Sequence, residues 1–377
     1  MPWKERTVMS QKLEFVQAAQ STDNFRLLCS QFGITTPTGY KYLNQYLSYG
    51  EEGLKERSRR PKKQPTKTCK DIEDLIVSLR KKHTWGGEKI RVYLINAGFD
   101  QKTMPSEKTI DRILKRNGLI TEEESQKHRG WIRFEHEYPN DLWQMDFKGH
   151  FATEDARCYP LTILDDHSRF CITIKSCGDQ LTDTVRSHLI DVFREHGLPK
   201  RMTMDNGSPW GYSGKQEHTT LTAWLIQLGI YVSHSRPGHP QTQGKLERFH
   251  RTLKLELLSR FKFINLIEAQ EGFDWWRDIY NTQRPHAAIE NRRPMDRYKT
   301  SERVYPEKMP LIEYDENFIV RKVQYGGLIH LNGAVYRVGD AFHGQPVGIK
   351  NGEDGLLDIY FGHQRINKID LRYPSKR

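Results

Sequence analysis

The spacing of apolar positions changes period along the chain, and the changes divide it into segments. Through the first 120 residues the period is helical. Gln11–Gln20 predicts a helix, Asp23 is placed to cap a second that runs to Phe32, and Gly33 breaks that one before a third over Thr35–Tyr49. Ile72, Leu75, Ile76 and Leu79 then repeat on one side of Asp71–His83. Trp85-Gly86-Gly87 turns the chain into Glu88–Ala97, and a further helix over Ser106–Asn117 is opened by Ser106 and ended by Gly118. From about His136 the pattern becomes strand-like. Trp143–Phe151, Cys158–Leu164 and Phe170–Ser176 predict three strands with hairpin breaks at Glu154-Asp155 and at Asp165-Asp166-His167-Ser168. Leu181–His196 is amphipathic, with Val185, Leu189, Val192 and Phe193 on one side, and stops at Gly197-Leu198-Pro199. A strand ending at Asp205, a helix near Thr219–Leu228 and a short strand over Ile230–Ser235 follow. Three consecutive strands, then strands alternating with helices, predict a mixed sheet covered by helices. Residues 264–298 read as helical, and 311–373 alternate apolar and polar between glycine turns, as in a small β-barrel.

The expected fold class is therefore multidomain: N-terminal all-α helix-turn-helix units, a central α/β core with a mixed sheet, and a small C-terminal β-barrel. The expected boundaries are 1–53 for the first helical unit, 54–70 for a basic linker and 71–120 for the second unit. A connector over 121–135, a core over 136–300 and the barrel over 301–377 complete the division. Helix, glycine turn and a Thr/Tyr/Lys-rich helix is the order of a DNA-reading module, with Thr36, Thr38, Tyr40, Lys41 and Asn44 as candidate contacts. An ordinary three-helix module is the alternative. Lys108, Thr109 and Arg112 occupy the equivalent helix of the second unit.

Charge sharpens this reading. The 377 residues carry a net charge of +11. Residues 1–135 hold 26 Lys and Arg against 17 Asp and Glu, and Lys55–Lys70 holds eight basic residues and one acid. Such a stripe suits phosphate binding, and Arg57, Arg59, Arg60, Lys62 and Lys63 are its candidates; a solvated linker is the plain alternative. Pro61 and Pro65 keep the stripe from being helical. No apolar run approaches the roughly 18 residues that span a bilayer, and the N-terminus lacks the apolar stretch of a secretory signal. A cytoplasmic, nucleoid-associated bacterial protein is expected, with no membrane partner. The five cysteines form no Cys-x-x-Cys pair and are assigned no chemistry.

Three acids stand out. Asp146 lies inside the apolar run Leu142–Phe147, where a carboxylate is costly unless a cation compensates it. Asp205 ends a strand before Asn206-Gly207, where sheets of this class place ligands, although a turn-capping role also fits. Glu247 shares a helix face with Arg251 and Lys254, beside the stripe Leu246, Phe249, Leu253 and Leu257; a surface salt bridge is its alternative. Together they suggest a two-metal phosphoryl-transfer site. Asp165 and Asp166 read as a hairpin turn, and Trp275, Trp276 and Arg277 as helix packing.

At these residues the chain resembles the DDE-type transposases of bacterial insertion sequences, kin to retroviral integrases. The pieces that match are Trp143–Phe147, Leu164–Arg169, Asp205-Asn206-Gly207, Ser235–Gln241, Gly244–Lys254 and Tyr280-Asn281 through Arg284-Pro285-His286. The resemblance implies an RNase H-like core with Asp146, Asp205 and Glu247 as ligands of two Mg²⁺ ions, Mn²⁺ able to substitute, and Lys254 as a basic helper. It implies cleavage at transposon ends and direct joining of the 3′-hydroxyl to target DNA, with no covalent enzyme intermediate. It also implies binding of double-stranded DNA, both terminal inverted repeats and target, and pairing of the ends by at least a dimer. Arg236, His239, Lys245, Arg248 and Arg251 are further expected DNA contacts. The interval from Asp205 to Glu247, 42 positions, is longer than is usual in that family, with the surplus expected in Trp210–Thr219. The retroviral His/Cys zinc module is missing. A sequence-specific DNA-binding regulator without catalysis is the alternative function, and a structure-selective nuclease a third.

Overall fold

The computed structural model describes residues 7–56, 68–120, 135–211, 218–235, 244–352 and 356–373. The chain divides into two compact units, Met1–Lys67 and Thr68–Arg377.

The first unit holds α1 (Val8–Ala19), α2 (Phe25–Gln31) and α3 (Thr36–Tyr49). Asn24 rather than Asp23 caps α2, accepting from Leu27 N at 3.0 Å. Both residue types cap well, and the choice falls to the one whose oxygen reaches the third helical N–H. Gly33, at φ +65°, reverses the chain into α3, as the sequence predicts. Phe15, Val16, Leu28, Cys29 and Leu54 form the small core.

The second unit begins with α4 (Lys70–His83), α5 (Gly87–Asn96) and α6 (Glu107–Arg116). Ser106 caps α6 by accepting from Thr109 N. Ile76, Leu79, Trp85, Ile90, Ile110 and Leu114 make their core, which also takes in Ile279 from the later helix α10 (Leu266–Thr282). Arg260 donates to the Lys81 carbonyl at 2.8 Å, so the end of α4 is tied to the segment that precedes α10.

The central sheet comprises β1 (Trp143–Phe147), β2 (Phe151–Ala152), β3 (Arg157–Asp165), β4 (Cys171–Cys177), β5 (Arg201–Met204) and β6 (Tyr231–His234). Its order is β2-β3-β1-β5-β6, with β4 also on β3. Short turns make β4, β3 and β1 antiparallel, whereas the crossovers through α7 (Thr182–His196) and α8 (Thr220–Gln227) make β1, β5 and β6 parallel. The mixed sheet is thus the one the pattern predicts. The strand expected to run from Trp143 to Phe151 stops at Phe147, and Gly149, at φ +84°, turns the chain before β2.

Alternation sorts the two faces of β1. Trp143, Met145 and Phe147 enter the core shared with Val185, Leu189 and Phe193 of α7 and Leu221 and Leu225 of α8. The opposite face packs against α9 (Gly244–Leu253), which continues as one π turn over Lys254–Leu258, while α10 packs against β4. Leu246, Phe249, Leu253 and Leu257, the stripe foreseen from spacing, are all buried there with Phe273 and Trp276. Trp275 stays 44% exposed, its ring edge-on to Phe261.

The C-terminal strands are β7 (Ile319–Lys322), β8 (Leu328–Leu331), β9 (Ala334–Arg337), β10 (Pro346–Asn351), β11 (Leu356–Phe361) and β12 (Gln364–Asp370). The expected closed barrel does not form among the described residues. β12-β11-β10-β7 is an open four-stranded sheet, and β8-β9 a separate ribbon. Closure is unnecessary because the apolar faces of both pieces are already covered: Ile329, Tyr336, Val347, Ile359 and Phe361 belong to the same core as Trp143 and Phe193. Gln364 completes the junction, its amide accepting from Val232 N and donating to Val232 O, each at 2.8 Å.

Candidate active site

Strand register brings the two aspartates together. β1 lies parallel to β5 with Gln144 opposite Thr203, and two further steps set Asp205 level with Asp146. Adjacent strands lie about 4.8 Å apart. On the other side of β1, Asp146 pairs with Thr162 of β3. The Thr162 hydroxyl donates to the Asp146 carbonyl at 2.8 Å and lies 2.7 Å from His250 Nε2. With that hydroxyl proton committed, His250 must be the donor, which fixes the neutral ring with its proton on Nε2. Burial drives the His250 pKa down to about 3, with the Lys148 charge adding to the effect, so the ring stays neutral. Threonine and histidine thus clamp α9 to β1, and Glu247, one turn before His250, is carried to the same place.

The result is a cluster of like charge. Burial first, then the Asp205 and Glu247 carboxylates, push the Asp146 carboxyl up to about 7. The Phe147 N–H and the Lys148 ammonium oppose the rise. Asp146 and Asp205 are half-buried and Glu247 is exposed; two carboxylates acting on a third, with only hard oxygen donors, suit a divalent cation. Among the described residues no three His, Cys, Asp or Glu side chains are gathered closely enough to enclose an ion by themselves.

Asp205 is held tightly. Its Oδ1 accepts from the Gly207 N–H at 2.9 Å and from the indole N–H of Trp210. The turn-capping role foreseen for it is therefore present alongside its place beside Asp146. Trp210 is 1% exposed and stacks on Phe147, with centroids 5.3 Å apart. Asp165 and Asp166 are buried in the hairpin and fully engaged. Asp165 accepts from Asn140 N, Ser168 N and Ser168 Oγ. Asp166 accepts from His136 N, Gln144 Nε2 and Lys245 Nζ. Lys245, an expected DNA contact, is thereby an anchor for the start of α9.

Residues 136–240 match the integrase core domain, as do residues 228–294, and residues 318–377 match the C-terminal domain of the IS481 family transposases. Together with the relatives that follow, these matches support a DDE-type transposase of an insertion sequence. Residues 11–62 match a helix-turn-helix domain and residues 38–114 a homeodomain-like domain. It is 26% identical over 262 residues to the transposase for insertion sequence element IS904 of Lactococcus lactis subsp. lactis, covering 63% of this chain and 97% of that protein. It is also 26% identical over 180 residues to the insertion element IS407 uncharacterized 31.7 kDa protein of Burkholderia multivorans, covering 48% of this chain and 60% of the relative's length. Among solved structures, a chain of the simian T-cell lymphotropic virus intasome in complex with PP2A regulatory subunit B56 gamma overlaps 79% of this chain and 96% of its own, at 15% identity. The TM-score of 0.39 is too low to carry an argument.

The expected DNA contacts fall in three groups. Tyr40, Lys41 and Asn44 of α3 are exposed, as are Lys108 and Arg112 of α6 and Arg248 and Arg251 of α9. Thr36 is half-buried, Thr38 lies 2.9 Å from the Thr35 hydroxyl, and Thr109 is engaged with Ser106. Arg57, Arg59, Arg60, Lys62, Lys63, Arg236 and His239 lie outside the described residues, as do residues 121–134 of the connector and most of the Trp210–Thr219 loop. Thr162, His250 and Trp210 escaped sequence reasoning. A histidine three residues after Glu247 and a tryptophan five after Asp205 were the available signals. No helix among the described residues is long and apolar enough to cross a membrane.

Proposed function

We propose that this chain cuts and joins DNA as a transposase, with Asp146, Asp205 and Glu247 as its metal-holding acids. The observation that carries the reading is the Asp146 carboxyl, lifted to about 7 by burial and by two neighbouring carboxylates from distant parts of the chain. Such mutual repulsion is an arrangement that a structural site avoids and a cation site needs. The three acids would hold two Mg²⁺ ions, with Mn²⁺ able to substitute. When bound, such ions activate the attacking water or 3′-hydroxyl and offset charge on the leaving oxygen.

The chain's own residues arrange the rest. Trp210 and Gly207 occupy Asp205 Oδ1 and leave Oδ2 for a cation. Thr162 and His250 fix the helix that carries Glu247. Lys254, two turns after Glu247, is exposed and supplies positive charge for the DNA backbone. The helices α3 and α6 would read the terminal inverted repeats, and two or more copies of the chain would pair the ends. The C-terminal strands are then an accessory domain, built on the core rather than closed as a barrel. The test is cleavage of labelled terminal-repeat DNA in Mg²⁺. Asp146→Asn should lose cutting by at least a thousandfold and retain DNA binding. A variant that cuts like the wild type refutes the site.

A further inference from the structure

Lys148 is a basic residue close to the carboxylates that the reading of the site has not used. It follows Asp146 by two, and its N–H donates to the Pro160 carbonyl at 2.9 Å, prolonging the pairing of β1 with β3. Residues two apart on an extended chain share a face, about 7 Å from one another. Asp146 and Lys148 therefore both look towards α9. On that helix Lys254 follows Glu247 by seven residues, about 10 Å further along the same side. Acids meet acids at one end of this interface, and lysine meets lysine at the other. Lys148, His150 and Lys254 line a cleft of about 220 Å³, walled by Phe151, Pro160 and Leu258. No carboxylate lines it, and neither lysine makes an ion pair among the described residues. The Lys148 charge is felt by both Asp146 and His250, which ties it to the site from two directions.

Two ammonium groups and an imidazole in a cleft with apolar walls match an anionic diester linked to a sugar. We propose that this cleft binds the DNA phosphate next to the one being attacked, gripped between Lys148 and Lys254, with the deoxyribose against Phe151, Pro160 and Leu258. The proposal rests on the reading of Asp146, Asp205 and Glu247 as a DNA-cutting site. It adds a strand residue, Lys148, that sets where the cut strand lies.

The experiment uses the full chain, a short fluorescent DNA duplex and supercoiled plasmid. Binding of the duplex in EDTA is followed as salt is raised. Lys148→Gln should lower the slope of log affinity against log salt by about 0.9, the loss of one phosphate contact, and Lys148→Arg should restore it. Because Lys148 is half-exposed, the thermal midpoint of both variants should match the wild type. In Mg²⁺, Lys148→Gln should raise the plasmid KM for nicking severalfold more than it lowers kcat. An unchanged slope in Lys148→Gln, or a Lys148→Arg chain as weak as Lys148→Gln, overturns the cleft. Failure of the wild type to nick plasmid overturns the reading of the carboxylates, so the two failures are told apart.

Discussion

Replacing Trp210 by phenylalanine removes one N–H and keeps an aromatic ring. The ring of Trp210 lies 19° from the plane of Phe147, and a phenyl group in its place preserves that stack. What disappears is the indole donor to Asp205 Oδ1, leaving the Gly207 N–H at 2.9 Å as the partner of that oxygen. A hydrogen bond to a charged group contributes about 1.5–3 kcal/mol, and loss of an outer partner of a metal ligand weakens metal affinity by about 10–100-fold. Asp205 is half-buried, so water replaces part of the loss, and the low end of both ranges applies. The expected outcome is a stability loss of about 1.5 kcal/mol in metal-free protein, with the Mg²⁺ concentration for half-maximal plasmid nicking raised about tenfold. The plateau rate at saturating Mg²⁺ should stay within a few-fold of the wild type, because the acid itself is intact. Urea unfolding in EDTA and a Mg²⁺ titration of nicking read the two effects separately. A Mg²⁺ curve that overlays the wild type, with stability lost, would mean that the indole holds the loop and not the carboxylate.

Thr162→Val removes the hydroxyl between His250 and the Asp146 carbonyl and strands a buried imidazole N–H. A stability loss of about 1–3 kcal/mol is expected in urea, and an unchanged midpoint argues against the clamp. Acid should weaken the fold earlier than its carboxylates alone require. Burial lowers His83 and His218 to about 4 and His250 to about 3, against an ordinary 6.5. Above pH 6.5 these rings are neutral in both states; below it the unfolded chain takes up protons that the folded chain refuses. Stability therefore falls as pH drops through the window from 6.5 to about 4, by up to about 2 kcal/mol per ring at pH 5. A urea midpoint that stays flat between pH 7 and pH 5 contradicts this.

Much of the fold was legible because its signals are local. The 3.6-residue period of Ile72, Leu75, Ile76 and Leu79 and the stripe Leu246, Phe249, Leu253 and Leu257 each reach the core they imply. An acid between Met145 and Phe147 announced that its face of β1 meets something unusual. Other features depend on which strand lies beside which. Thr162 matters only because β3 pairs it with Asp146, and Lys148 only because the chain stays extended past Phe147. Neither fact has a local sequence marker. Alternation of apolar and polar residues reads alike in a barrel and in an open sheet, so residues 311–373 gave the strands but not their closure. Asp23 and Asn24 are equally able caps in isolation, and the position of Leu27 chose between them.

The Gln364 amide has a consequence for assembly. A glutamine side chain there imitates a peptide group and occupies both the donor and the acceptor of Val232, at the middle of the sheet's last strand. That rim is thereby blunted: an incoming extended segment finds its central hydrogen-bonding partners already taken. A strand from any second molecule therefore cannot pair with this edge at Val232.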